Sequence, residues 1–181
     1  MKKVFSIIGM LILISFVMTF AVNSSLSKNY EKTHGESADL AVNEFLMGKK
    51  VHVDYVIDGD TFCTTIDGKE EKVRLIGIDT PESVASEEYL EKTGKSSTEE
   101  GAEASEFTKS LIEGQDVVLA YDVEKYDQYG RVLAYVYLQD GKMLQDILLK
   151  EGYANLFTSP PNVRHADRFT NIVNKREGHE N

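Results

Sequence analysis

Apolar and polar residues alternate along residues 49–78 as they do in β-strands, and this pattern constrains the fold more than any other feature of the sequence. Apolar residues alternate with polar ones from Val51 to Ile57, and further apolar runs cover Phe62–Ile66 and Val73–Ile78. Asp67-Gly68 separates the last two runs, and Asp-Gly is a strong hairpin signal. Asp58-Gly59 is a candidate for the other turn. The sequence therefore predicts three consecutive strands joined by tight turns.

The remainder of the chain adds two strands and three helices. The strand candidates are Val117–Tyr121 and Val132–Leu138. The helix candidates are a segment that begins at the capping-box pattern Ser97-Thr98-Glu99-Glu100 and ends at Gly114, a second from about Met143 to Glu151, and a third from about Val163 to Lys175. Five strands with a helix after the third are typical of a small closed barrel of the oligonucleotide/oligosaccharide-binding (OB) kind. The expected class is α+β, with this barrel in residues 49–181.

The N-terminus predicts a separate targeting segment. Lys2 and Lys3 precede an apolar run from Val4 to Val22, which is the pattern of an export signal. Thr19-Phe20-Ala21 favours cleavage after Ala21, so residues 1–22 are expected to be a signal peptide. The run has 19 residues, close to the ~20 that span a bilayer, and an uncleaved anchor through residues 4–22 is the alternative. Both alternatives place the rest of the chain outside the cytoplasm, secreted or membrane-anchored.

Residues 23–48 are expected to be a polar linker, with one short helix from Ala38 to Met47.

The chain contains one cysteine, which excludes an internal disulfide framework and a cysteine-cluster zinc site. Cys63, on a predicted strand, is expected to be a small packed thiol. His165 is expected to lie at the surface where the last helix begins. The net charge of -10 by itself argues against a nucleic-acid partner.

Three short segments concentrate the chemistry: Ile57–Thr61, Arg74–Glu82 and Asp127–Arg131. Taken singly, the first segment is explained as a turn, the second as the end of a strand and the third as a surface arginine. Taken together, Asp60 and Asp79 lie at strand–turn junctions, where two carboxylates and a backbone carbonyl make an oxygen site suited to Ca²⁺ or Mg²⁺.

The same segments supply the groups needed for attack on a phosphodiester. Arg74 and Arg131 carry planar forks that match phosphate oxygens. Glu82 offers a further carboxylate to act as a base on water. A cation and two arginines would stabilise the negative charge that builds on phosphorus.

These motifs and their order resemble the thermonuclease family, the staphylococcal-nuclease-like secreted nucleases. The resemblance covers about residues 49–177. It rests on Asp58-Gly59-Asp60-Thr61, on Arg74 followed by Asp79-Thr80-Pro81-Glu82, on Glu103–Thr108, on Asp127-Gln128-Tyr129-Gly130-Arg131 and Leu133–Tyr137, and on Asp140–Met143 and Glu151–Ala154. A single Asp-Gly-Asp would be weak, but three such segments in the family's order are specific.

The resemblance implies an activity and a set of residue roles. The family cleaves DNA and RNA on the 5′-oxygen side and leaves 3′-phosphate ends, with Ca²⁺ as cofactor. By the same resemblance Asp60 and Asp79 bind Ca²⁺ with the Thr80 carbonyl as a third ligand, Asp58 holds a metal-bound water, Arg74 and Arg131 grip the scissile phosphate, Glu82 is the general base, and Tyr129 lies near a terminal phosphate.

The sequence departs from the family in three places. The segment after Glu82 is long and acidic, and Gln128 stands where the family has a phosphate-holding lysine. The tyrosine that the family uses for base stacking is absent from the segment that begins at Phe157. Phe157 is expected to be buried.

Two other functions compete with an exported, monomeric Ca²⁺-dependent nuclease. One is a catalytically weak nucleic-acid-binding OB module at the cell surface, and the other is an interaction module whose acidic segment meets a basic partner.

Overall fold

The computed structural model describes residues 36–83 and 98–178. In this part of the chain the elements follow one another as α1 (Glu36–Met47), β1 (Lys49–Asp58), β2 (Thr61–Ile66), β3 (Lys69–Leu75), β4 (Gly77–Asp79), α2 (Glu99–Ile112), β5 (Asp116–Ala120), β6 (Val132–Tyr137), α3 (Leu144–Glu151), β7 (Asn155–Phe157) and α4 (Ala166–Arg176). Contacts divide the chain after Glu44 into two compact units, and every element from β1 onward belongs to the second.

Five of the strands close into a barrel in the order β1-β2-β3-β6-β5, and β1 completes the closure by pairing with β5. All the pairs are antiparallel except β3 with β6, which run parallel. Asp67 and Gly68 form the β2–β3 turn with φ of 52° and 83°, the conformation for which Asp-Gly is favoured. The predicted α+β class with a five-stranded OB-like barrel is confirmed.

The barrel interior is filled by the inward residues of each strand. Among its fully buried side chains are Val53, Phe62, Val73, Leu119, Val132, Ala134 and Val136. Cys63 is completely buried, which confirms that it is a packed thiol. The alternation of β1, in which Val51 and Val53 are buried between exposed neighbours, is the pattern expected of a strand with one face on the core.

The apolar run Val73–Ile78, predicted as one strand, is two strands in the structure. β3 ends at Leu75, and after a turn at Ile76 the chain enters β4, which pairs with β7 outside the barrel. Gly77 at the break has φ of 85°, and a Cβ there would lie 2.5 Å from the Phe169 ring. Both the conformation and the close packing require glycine. β7 was not predicted, because a three-residue strand has too short a pattern to detect.

Helix α2 begins one residue later than its capping pattern indicated. The N-cap is Thr98, whose hydroxyl accepts a hydrogen bond from the Gly101 amide at 3.0 Å. The third helical position is therefore Gly101, so the reciprocal glutamate of a capping box is missing. The other helices lie within three residues of the predicted bounds, and α1 corresponds to the short linker helix predicted at Ala38–Met47, in addition to the three helices of the barrel domain.

His165 is buried, and the prediction that it lies at the surface is wrong. It is 2% exposed at the start of α4, and its ring packs edge-on against Tyr135 at 4.5 Å between centroids. Tyr135 in turn donates a hydrogen bond from its hydroxyl to Asp122 at 3.0 Å. Burial and the nearby Asp122 carboxylate raise the pKa of Tyr135. The cluster fixes α4 against the barrel.

The predicted targeting segment at residues 1–22, the first half of the polar linker (residues 23–35) and residues 84–97 of the acidic segment lie outside the described residues. Within the described ranges, no helix has both the length and the apolar character needed to cross a membrane.

Candidate active site

A cavity of about 700 Å³ opens beside β3 and is lined by residues from all three predicted segments. The predicted functional side chains that reach it are Asp58, Asp60, Arg74, Asp79, Glu82 and Arg131. Thr80 is 2% exposed and lies directly behind them. The fold therefore brings together residues that are up to 73 positions apart in the sequence.

The Arg74 guanidinium lies at the centre of this group. Its Nη1 donates to the carbonyl oxygens of Leu75 at 3.0 Å and Ile78 at 2.9 Å, and it lies 3.0 Å from Asp60 Oδ2. Its Nη2 donates to Asp79 Oδ1 at 2.8 Å. Only 8% of the residue is exposed. One cation therefore joins the two predicted metal-binding aspartates and fixes the turn between β3 and β4.

The Asp60 carboxylate is almost surrounded by donors. Its Oδ2 accepts hydrogen bonds from the Thr80 amide at 2.9 Å and the Thr80 hydroxyl at 3.2 Å, while its Oδ1 accepts from the Thr61 hydroxyl at 2.9 Å. A Cβ at Gly59 would lie 2.8 Å from the Thr80 hydroxyl oxygen, so only glycine fits this turn. The β1–β2 turn is thus packed tightly onto the segment that carries Asp79 and Thr80.

Asp58 and Glu82 form a carboxyl pair beside Asp60. Burial raises the pKa of Asp58 to about 7, and a hydrogen bond with Glu82 and the charge of Asp60 add to the effect. Hydrogen bonds from the Gly59 amide at 2.7 Å and the Ser83 amide at 3.3 Å act in the opposite direction. Because burial and the neighbouring carboxyls disfavour its charged form, the Asp58 carboxyl keeps its proton to a higher pH than an exposed aspartate does.

The first turn of α2 positions the backbone of Glu82. The Thr98 amide donates to the Glu82 carbonyl at 3.0 Å. A Cβ at Gly101 would lie 2.1 Å from the same carbonyl oxygen, so glycine is required for this approach. Farther along the helix, the Thr108 hydroxyl donates to the Gly59 carbonyl at 2.7 Å. One helix therefore supports both the Glu82 segment and the β1–β2 turn.

Arg131 is oriented by Asp127 four residues earlier. Asp127 Oδ2 accepts from Arg131 Nε at 2.7 Å, and Oδ1 accepts from the amides of Tyr129 and Arg131 at 2.9 Å. Both Nη groups of Arg131 have no acceptor among the described residues, and the side chain lines the cavity. Asp127 therefore fixes the orientation of the Arg131 guanidinium, and the two Nη nitrogens remain available to a ligand.

Asn162 links the Arg131 loop to the loop that follows β7. Its side-chain oxygen accepts from the Glu124 amide and its nitrogen donates to the Glu124 carbonyl, each at 2.8 Å. Asn162 is 5% exposed, and both it and Glu124 line the cavity. Sequence reasoning missed this residue, because an isolated asparagine in a loop carries no signal of its long-range partner.

Phe157 lines the cavity with 54% of its surface exposed, so the prediction that it is buried is wrong. It is the last residue of β7, whose three residues are all exposed. Tyr129, 75% exposed, also lines the cavity, and the Arg131 guanidinium lies 5.5 Å from the centroid of its ring. The cavity therefore combines charged groups with two accessible aromatic rings.

The donor atoms around Asp60 and Asp79 have the chemistry of a site for a hard divalent cation. Carboxylate, hydroxyl and backbone oxygens are the ligands that Ca²⁺ and Mg²⁺ prefer. Within residues 36–83 and 98–178, no cluster of three or more His, Cys, Asp or Glu side chains could hold a metal by itself. The two aspartates therefore fit such a cation only as part of its ligand set, with other oxygens completing it.

Comparison with known proteins identifies the family. The family described as "Staphylococcal nuclease homologue" matches residues 72–178. The thermonuclease of Staphylococcus hyicus is 36% identical over 93% of this chain and 90% of its own length. The thermonuclease of Staphylococcus intermedius is 45% identical over 65% of this chain and 66% of its own length. The endonuclease YncB of Bacillus subtilis is 32% identical over 93% of this chain and 85% of its own length.

The fold, the cavity and these relatives together define the class of protein as a nuclease, an enzyme that hydrolyses phosphodiester bonds. The chain belongs to the staphylococcal nuclease homologue family. The resemblance to the thermonuclease family is thereby confirmed.

Proposed function

We propose that the protein is an exported, Ca²⁺-dependent nuclease that hydrolyses DNA and RNA on the 5′-oxygen side of the phosphodiester and leaves 3′-phosphate ends. The observation that carries the proposal is that one cavity wall holds Arg74, Arg131 and the carboxylates of Asp60, Asp79 and Glu82. A module that only binds nucleic acid has no need of a buried carboxylate pair beside two oriented arginines.

In this proposal the two arginines bind the non-bridging oxygens of the scissile phosphate. Arg131 contacts Asp127 through its Nε, so both Nη nitrogens are available for the phosphate oxygens. Arg74 Nε has no acceptor among the described residues, so it remains available although both Nη groups are engaged. Fixed positive groups at these oxygens stabilise the charge that develops in the transition state without reorganising.

Glu82 acts as the base in the proposed reaction. The water oxygen forms a bond to phosphorus while the bond from phosphorus to the 5′-oxygen breaks. The proton of the attacking water passes to the Glu82 carboxylate, and the leaving 5′-oxygen takes a proton from solvent. One water is consumed, and the phosphate remains on the 3′-oxygen. Asp58 competes for the proton through its hydrogen bond with Glu82.

Asp60 and Asp79, with the Thr80 carbonyl, would hold the Ca²⁺ ion, and Asp58 would hold a water bound to it. A bound cation there supplies positive charge next to the phosphate and favours ionised carboxylates around it. Arg74 already neutralises part of the charge on Asp60 and Asp79, because its guanidinium contacts both carboxylates.

Cleavage of single-stranded DNA and of RNA by the purified full chain tests the proposal. We expect cleavage with Ca²⁺, none with excess chelator, and products whose 5′-hydroxyl ends accept a phosphate label directly while their 3′ ends are extended only after phosphatase treatment. Binding without cleavage would support the alternative, a catalytically weak OB module. Products with 3′-hydroxyl ends would contradict the proposed bond.

Export and processing are proposed from the sequence pattern of residues 1–22, and they are tested separately, as is the proposed monomeric state. Mass spectrometry of the N-terminus of the exported protein distinguishes cleavage after Ala21 from an intact anchor through residues 4–22. Light scattering of the purified protein measures its mass in solution, and a dimer would contradict the monomer.

A further inference from the structure

Lys72 lies on the cavity wall two residues before Arg74 on β3. Val73 between them is fully buried in the barrel, so the alternation of a strand places Lys72 and Arg74 on the same, cavity-facing side. Their Cα atoms are separated by two strand rises, about 7 Å. Lys72 lines the cavity, as Arg74 does.

The register of the barrel also brings Lys72 next to Arg131. β3 and β6 run parallel with Val73 opposite Val132 and Arg74 opposite Leu133. One step back along both strands, Lys72 is at the position opposite Arg131. Lys72 is therefore flanked by Arg74 along its own strand and by Arg131, the residue that precedes β6, and among the described residues these three are the cations that line the cavity.

The three cations differ in how far their charge is already neutralised. Arg74 contacts Asp60 and Asp79, and Arg131 contacts Asp127. Lys72 is exposed and forms neither an ion pair nor a side-chain hydrogen bond with any residue in the described ranges. A lysine beside two arginines and without a carboxylate partner is in an environment that favours an anion.

We propose that Lys72 binds a second phosphate group of the nucleic-acid strand, adjacent along the chain to the phosphate held by Arg74 and Arg131. This inference rests on the proposed nuclease function. The Lys72 ammonium is a mobile point charge with three donors, which suits a phosphate whose position varies with the flexible strand. The arginine forks suit the scissile phosphate, whose geometry has to be fixed.

The test compares substrates with one and with several phosphates. A dinucleoside monophosphate contains only the scissile phosphate, whereas a hexanucleotide also offers its neighbours. For Lys72→Met in the full chain, we expect the KM for the hexanucleotide to rise about tenfold, and the KM for the dinucleoside monophosphate to change far less. Lys72→Arg, which keeps the charge, should restore most of the hexanucleotide affinity.

Lys150→Met is the matched control, because Lys150 is an exposed lysine on α3 that does not line the cavity. We expect this variant to have the wild-type KM for both substrates. The dependence of log KM on log salt for the hexanucleotide should flatten by about 0.7 in Lys72→Met, the change for one lost phosphate contact on a single strand. Urea unfolding of both variants monitors their folding.

Two outcomes would overturn the inference. One is an equal rise in KM for both substrates, which would place Lys72 at the scissile phosphate. The other is an unchanged KM and salt slope for the hexanucleotide. Failure of the proposed function is distinguishable, since the wild-type protein would then cleave neither substrate.

Discussion

At the scale of single residues, the site depends on how each charge is compensated. Arg74 is buried and contacts two carboxylates and two carbonyls, while Arg131 is at the cavity edge and contacts one carboxylate. Removing a buried arginine leaves its carboxylate partners without a counter-charge, whereas removing an arginine at the edge of the cavity lets water solvate the remaining carboxylate. The two arginines therefore share a proposed role but differ in their structural importance.

Arg74→Ala and Arg131→Ala are both expected to abolish most of the nuclease activity, because each removes a phosphate-binding fork. Only Arg74→Ala should also lower the free energy of unfolding substantially, by about 3 kcal/mol, because Asp60 and Asp79 lose their buried cation. Arg131→Ala should change it by less than about 1 kcal/mol. Initial rates and urea unfolding measure the two effects. Near wild-type turnover in either variant would contradict its assigned role.

The raised pKa of Asp58 predicts a pH-dependent stability in the presence of chelator. The carboxyl has an unfolded-state pKa of 3.8 and a folded-state pKa of about 7, so the unfolded state ionises first as the pH rises. Its stabilising contribution is present below pH 3.8 and is lost as the pH rises through about 7. We expect Asp58→Asn to gain stability relative to the wild type across this window. A difference that stays constant from pH 4 to pH 8 would contradict the shift.

At the scale of elements, helix α2 and the loop after β7 position groups that belong to other segments. The first turn of α2 contacts the Glu82 backbone, and Asn162 contacts the backbone of the Arg131 loop. Neither contact involves a group that touches the reacting atoms. Both contacts are short, so small changes in these elements should reach the chemistry through geometry.

Gly101→Ala is expected to displace the Glu82 segment, because the new methyl group would overlap the Glu82 carbonyl. Since Glu82 is the proposed base, kcat should fall at least tenfold while KM changes less. Glu106→Ala on the exposed side of the same helix is the control and should keep both values. A Gly101→Ala variant with wild-type kcat would show that Glu82 is positioned independently of α2.

Asn162→Ala is expected to release the loop that carries Arg131. Two hydrogen bonds to the Glu124 backbone are lost, which should lower the free energy of unfolding by about 2 kcal/mol. Activity should fall because Arg131 is less well oriented, and Asn162→Asp should restore only the bond from the Glu124 amide. Kinetics and hydrogen exchange of the Glu124 amide measure the two effects. Unchanged exchange at Glu124 would contradict the link.

At the scale of the whole molecule, the net charge of -10 and the site have to be reconciled. Eight acidic residues and two lysines lie between residues 82 and 106, so the excess acid is concentrated in one segment. The cavity wall itself presents three adjacent cations. The charge therefore does not exclude a nucleic-acid substrate, although it removes long-range attraction and leaves binding to a few local contacts.

A weak salt dependence is the corresponding prediction. With three cations at the cavity, the slope of log KM against log salt for single-stranded DNA should be about 2. KM measured from 50 to 500 mM salt at fixed Ca²⁺ gives this slope. A slope of 5 or more would indicate that cations outside the cavity contact the strand.

The sequence predicted the parts of the site that depend on local pattern. Asp60 and Asp79 lie at the ends of strands, so strand period and turn residues indicated their positions. Asp127 and Arg131 are four residues apart in one turn, and their ion pair is a local contact. By contrast, the exposure of Phe157 and the burial of His165 depend on elements far away in the chain, and both predictions were wrong.

By itself, the sequence determined the barrel strands, their hairpin turn and the set of candidate site residues, because these follow from period, turn chemistry and residue type. Only the tertiary structure decided that β4 leaves the barrel to pair with β7, that α2 supports Glu82, and that Lys72 lies beside Arg131. These features come from packing between segments separated by 16 to 80 residues. Such contacts are set by the closure of the whole barrel, which no local pattern encodes.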